Sequence, residues 1–143
     1  MSTSKVIQFT AALERECKSR KLRVGLWHGG RGSRDTSNLV QIEGTATRRL
    51  LYVKDRSEDP GFWGLNENQL SKLRSSGLEW FVILLVGPSE SGYLLTTVEV
   101  EKGAGSWSRS GSDFKVHEGR EISGGFQFGS FSDVFARLTD GLS

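Results

Sequence analysis

The longest unbroken apolar run, WFVILLVG from Trp80 to Gly87, constrains the fold more than any other feature. It is far shorter than the roughly 18 residues of a membrane span and has the length of a strand. A strand apolar at every position offers no face to water, so Trp80 to Val86 reads as a buried strand covered on both sides. The neighbouring segments supply the covers. Lys5 to Arg20 carries Val6, Ile7, Phe9, Ala12 and Leu13 at helical spacing behind Ser4 as a cap, which predicts an opening helix. Arg23 to Trp27, Leu39 to Glu43 and Arg49 to Lys54 read as strands, the last two a hairpin around a GTAT turn. Asn66 to Ser75 reads as a helix ended by Gly77, and Tyr93 to Val98 as a strand. Lys102 to Phe114 reads as a long Gly and Ser loop, Phe114 to His117 as a short strand, and Ser130 to Leu138 as a closing helix. The order α, β, β, β, α, β, β, loop, α predicts an α/β (α+β) fold, a mixed central sheet flanked by helices.

With 143 residues the chain is the size of one domain, residues 1–143. One cysteine and two histidines exclude a zinc finger, a four-cysteine ribbon and a cluster site. There is no GxxxxGK[ST] loop and no GxSxG elbow. Nothing near Met1 resembles an export signal, so a reducing, cytoplasmic setting is expected. The net charge of +2 hides a split, because Met1 to Arg56 holds twelve basic residues against five acids, +7, and the rest carries −5. Two readings of this split stand: a basic face for nucleic acid, or ordinary solvated side chains.

The strand order, the lysine ending RLLYVK and the NQL helix after it resemble the PD-(D/E)XK, restriction-endonuclease-like nucleases over Arg23 to Val98, about half the chain. Lys54 matches the lysine of the motif, which in that family helps position and activate the attacking water. Asn38 stands where the motif has its first Asp, and Tyr52 where it has its second acid. The resemblance offers replacements. Asp35 precedes Asn38 by three residues, and Glu43 lies in the same hairpin. Some members move the second acid to the following helix, twelve or thirteen residues past the lysine, and Glu67 is thirteen positions after Lys54. The site so implied has Asp35, Lys54 and Glu67 as catalytic residues, with Asp35 and Glu67 holding Mg2+. Its chemistry would be metal-assisted phosphodiester hydrolysis. A relative that binds without cleaving is the other outcome of the same resemblance. Prokaryotic genome maintenance or defence is the setting it implies.

For nucleic acid the candidate contacts are Arg31, Arg34, Arg48, Arg49, Lys54 and Arg56, with Trp63 in GFWG as a stacking platform or a core residue. HGGRGSR, from His28 to Arg34, has glycine-freed N–H groups and two guanidinium groups suited to phosphate, or is a plain surface loop. Cys17, His28 and His117 have no partner at a diagnostic spacing. The function expected is therefore DNA or RNA binding on a nuclease-like core. The alternative is a non-catalytic protein-interaction module, an adaptor or small inhibitor, that anchors a protein partner with its aromatics and its acidic C-terminal half.

Overall fold

The computed structural model describes residues 5–27, 39–45, 47–55, 62–86, 91–117 and 126–140. Along the chain run α1 (Lys5–Lys18), β1 (Arg23–Leu26), β2 (Leu39–Glu43), β3 (Arg48–Asp55), β4 (Phe62–Asn66), α2 (Glu67–Ser75) and β5 (Glu79–Leu85). Then follow β6 (Gly92–Thr96), α3 (Thr97–Ala104), β7 (Ser108–Ser110), β8 (Asp113–His117), β9 (Phe126–Phe128) and α4 (Phe131–Thr139). The apolar run forms β5, inside a six-stranded sheet of order β1-β2-β3-β5-β6-β9. It lies parallel to β3 and antiparallel to β6. Alternation sends Phe81, Ile83 and Leu85 into one core cluster and Trp80, Val82 and Leu84 into another. β3 divides the same way, Leu51 and Val53 against Leu50 and Tyr52.

The first cluster is closed by α1 and α4. Val6, Phe9, Leu13 and Cys17 recur every three or four residues on α1 and are all buried. Val134, Phe135 and Leu138 do the same on α4, whose Ser130 cap accepts from Asp133 N–H. The second cluster is closed by α2, α3 and a three-stranded sheet of order β4-β8-β7. The mixed sheet flanked by helices is thus as the sequence predicts.

Several elements differ from expectation, among them β9, which pairs with β6 where no strand is expected. The GFWG segment supplies β4, because Phe62 to Asn66 pairs antiparallel with β8. The expected strand Tyr93 to Val98 stops at Thr96, whose hydroxyl accepts from Glu99 N–H while the Glu99 carboxylate accepts from Thr96 N–H. This capping box starts α3 inside the expected strand and carries it to Ala104, into the beginning of the expected loop. Trp107, 7% exposed, packs into the second cluster against Gly103, where any Cβ would collide with its ring. β7 then hydrogen-bonds to β8, so most of the Gly and Ser segment is regular structure.

The aromatic anchors of the adaptor reading are also placed. Trp63, Trp80 and Trp107 all lie in the core. Trp63 is fully buried, and its Nε1–H donates to Leu85 O at 3.0 Å, so it has no face to stack on a base.

Cys17 is sealed beneath α1, and desolvation by burial pushes its thiol from 9.0 up to about 11. Between those values the folded chain keeps a proton that the unfolded chain releases. Stability is therefore expected to fall as pH rises from about 9 toward 11, and urea melts of Cys17→Ala should have a shallower pH slope than the parent over that window. At the end of α1, Leu22 N–H donates to Cys17 O at 2.9 Å and Lys21 N–H to Lys18 O at 3.3 Å, a Schellman turn. Its left-handed position is held by Lys21, at φ 63°. Lys21→Gly is expected to raise stability by about 1 kcal/mol, read as a higher urea midpoint at unchanged slope.

Candidate nucleic-acid interface

The end of β3 carries the lysine that the resemblance singles out. Tyr52 and Lys54 fall on the same face as Leu50, toward β4 and α2. Tyr52 is fully buried, and its hydroxyl accepts from Asn66 N–H at 3.0 Å. Asn66 ends β4 and caps α2, its Oδ1 accepting from Asn68 N–H at 3.0 Å and Gln69 N–H at 3.2 Å. Its Nδ2 donates to Asp113 Oδ1 at 3.0 Å, and Glu67 N–H donates to Ser112 O at 2.8 Å. Asn66 thus ties β3, α2 and β8 together.

These ties frame a hollow of about 390 Å³ lined by Tyr52, Lys54, Gly64, Asn66, Asn68, Gln69, Lys72 and Asp113. Among the described residues two lysines, Lys54 and Lys72, line it together with one acid, Asp113. Glu67 does not line it. Its carboxylate accepts from Arg74 at 3.2 Å, and Arg74 also grips Glu101 of α3 at 2.9 and 3.0 Å. The hydrogen bond to Glu101 is the main reason that the Arg74 pKa is raised. Glu67 thereby helps join α2 to α3.

The expected basic face is divided. Arg48 and Arg49 begin β3, roughly 20 Å from Lys54 at a strand's rise per residue. Arg49 is only 15% exposed, its Nε 2.8 Å from Glu79 and its NH1 donating to Leu138 O, so it locks α4 to the sheet. Glu43 pairs with Arg48 at that same far end and bridges Arg23 at 3.3 Å, away from Lys54. The alternation of β3 carries Asp55 to the face of Val53, opposite Lys54. Asp35, Asn38, Arg31, Arg34 and Arg56, with the His28 to Arg34 segment, lie outside the described residues.

A hard divalent cation is held by several oxygen ligands, carboxylates above all. The described part of the hollow offers a single carboxylate, already bonded to Asn66, beside two cations and a phenol engaged by a backbone N–H. Among the described residues no three of His, Cys, Asp or Glu cluster as a metal site would require. This donor set does not fit Mg2+.

Sequence reasoning reached Lys54 and Tyr52 but missed Lys72, Asp113 and the junction role of Asn66. Lys72 had a signal, since it follows Asn68 and Gln69 by four and three residues on one helical face. Asp113 had none, because its place depends on the pairing of β4 with β8.

The sheet order, its parallel central pair and the helices on both faces define a restriction-endonuclease-like fold. The chain is similar over 93% of its length to 97% of the structure of Hjc, a Holliday junction resolvase from the archaeal hyperthermophile Archaeoglobus fulgidus. The TM-score is 0.55 and the identity 19%, so the likeness is one of fold. No protein-family model matches the chain. No curated protein matches it either. Among the described residues no helix is long and apolar enough to cross a membrane.

The frame around the hollow generates a measurable expectation. Tyr52→Phe leaves the Asn66 N–H without its acceptor and should lower stability by about 1–3 kcal/mol in urea melts. An unchanged melt would remove Tyr52 from the frame.

Proposed function

We propose that this chain binds DNA through the phosphate backbone, using the Lys54 hollow of a nuclease-like fold, and does not cut the strand. The observation that carries this reading is the substitution at Tyr52. Where the family resemblance calls for an acid there is a buried phenol, its oxygen occupied by Asn66 N–H. Lys54, half-buried at the strand end, keeps the positive charge that a phosphate needs. The fold likeness to a Holliday junction resolvase supports DNA as the ligand. Glu67 supports the non-cleaving reading, because its carboxylate is spent on Arg74.

Fluorescence anisotropy with labelled duplex and four-way-junction DNA tests the proposal. Binding should weaken steeply with salt, and Lys54→Ala should reduce the slope of log K against log salt by about 0.9 on duplex. Plasmid incubated with Mg2+ or Mn2+ should stay intact. Absence of binding at low salt, or cleavage that disappears in Lys54→Ala, would overturn it.

A further inference from the structure

A second hollow, of about 520 Å³, lies at the other end of β3, where Thr45, Thr47, Arg48, Gly77 and Leu78 line it with Glu43 and Glu79. Helix α2 runs between the two: Asn68 lines the hollow at Lys54, and Gly77 and Leu78 follow the last turn. Arg48 precedes Lys54 by six residues, so the two-residue period of a strand puts both on the face of β3 that α2 covers, roughly 20 Å apart. The acids of the second hollow are taken, Glu43 by Arg23 at 3.3 Å and Glu79 by Arg49 at 2.8 Å. Among the described residues nothing pairs with Arg48, which is exposed. With Leu70 and Leu73 buried against the sheet, the helical turn of about 100° per residue carries Asn68, Ser71 and Ser75 to the outer side, where all three are exposed. The one acid of α2, Glu67, is turned aside to Arg74.

We infer that a DNA strand follows the outer side of α2, its phosphates held by Lys54 at one end of the helix and by Arg48 at the other. The inference rests on the DNA-binding reading above and adds the course of the strand and its second anchor. Charge complementarity carries it, since a cation stands at each end and no acid of α2 faces the path between them. Along that path Asn68, Ser71 and Ser75 offer amide and hydroxyl donors to phosphate oxygens. Nothing is asked of Lys72, which has a partner of its own in the fold. At 3.4 Å of axis per phosphate of one strand, a path of roughly 20 Å spans about six nucleotides. An arginine suits the far anchor because its guanidinium fork can grip a phosphate with two parallel hydrogen bonds.

Anisotropy of a labelled duplex longer than the path, titrated with the intact chain, tests the inference. Arg48→Gln should lower the slope of log K against log salt by about 0.9, and Arg48→Lys should keep the parent slope. A carboxylate set midway, Ser71→Glu, should weaken binding about three- to tenfold, because it meets the phosphates at close range. The same charge on α1, introduced by Ala11→Glu at an exposed position across the sheet, should leave the affinity within about twofold of the parent's. Thermal melts identify any loss of fold, and if Ser71→Glu unfolds, the two Arg48 variants decide alone. An unchanged salt slope in Arg48→Gln would overturn the inference and leave DNA binding at Lys54 standing. So would a Ser71→Glu affinity no weaker than that of Ala11→Glu. Failure of the parent chain to bind at low salt would instead sink the DNA-binding reading, and this path with it.

Discussion

The parallel pairing of β3 with β5 is the constraint from which the other features follow. Parallel neighbours require a crossover between them, and here the chain makes it through β4 and α2. That path brings the junction of β4 and α2 beside the end of β3, where Tyr52 and Lys54 emerge. Because both strands are buried on both faces, a shift of one residue would move Leu51, Val53 and Ile83 into the wrong cluster. The register is fixed by burial, and with it the position of Lys54.

Two layers of different construction cover this sheet. On one side α1 and α4 lock their apolar stripes against it, helped by the Phe9 and Phe131 edge contact at 5.5 Å and by Arg49 reaching the last turn of α4. On the other side a small sheet and two short helices form a more polar cover. There Arg74 links α2 with α3, and Asn66 links α2 with β3 and β8. The hollow belongs to this second cover.

Much of the fold was legible in the sequence because its strongest signals are local. The apolar run, the helical spacing of α1 and α4, the RLLYVK strand and the glycine after α2 each point to one structure over a few residues. α3 was hidden because the β-branched Thr97 and Val98 continue the pattern of β6, although Thr96 and Glu99 spell a capping box three residues apart. β4 was hidden because a glycine-flanked aromatic pair becomes a strand only when β8 arrives from fifty residues away. The same reasoning separates the site residues. Lys54 is marked by its place at a strand end. Glu67 has the spacing expected of a migrated acid, yet a helix turns its side chains by about 100° per residue, and its neighbour Arg74 two turns on claims it. The charge count of Met1 to Arg56 gave no geometry at all, because β3 carries its arginines and its lysine at opposite ends.

The hydrogen bonds that shape the hollow come from the Tyr52 hydroxyl, the Asn66 side chain and backbone, Asp113 and the Ser112 carbonyl. Lys54 contributes none of them among the described residues. Lys54 therefore lines the hollow without shaping its frame, whereas the Asp113 carboxylate does both. A lineage carrying this scaffold is free to exchange Lys54 for another side chain, trading one kind of guest for another, while the cup that receives it keeps its walls.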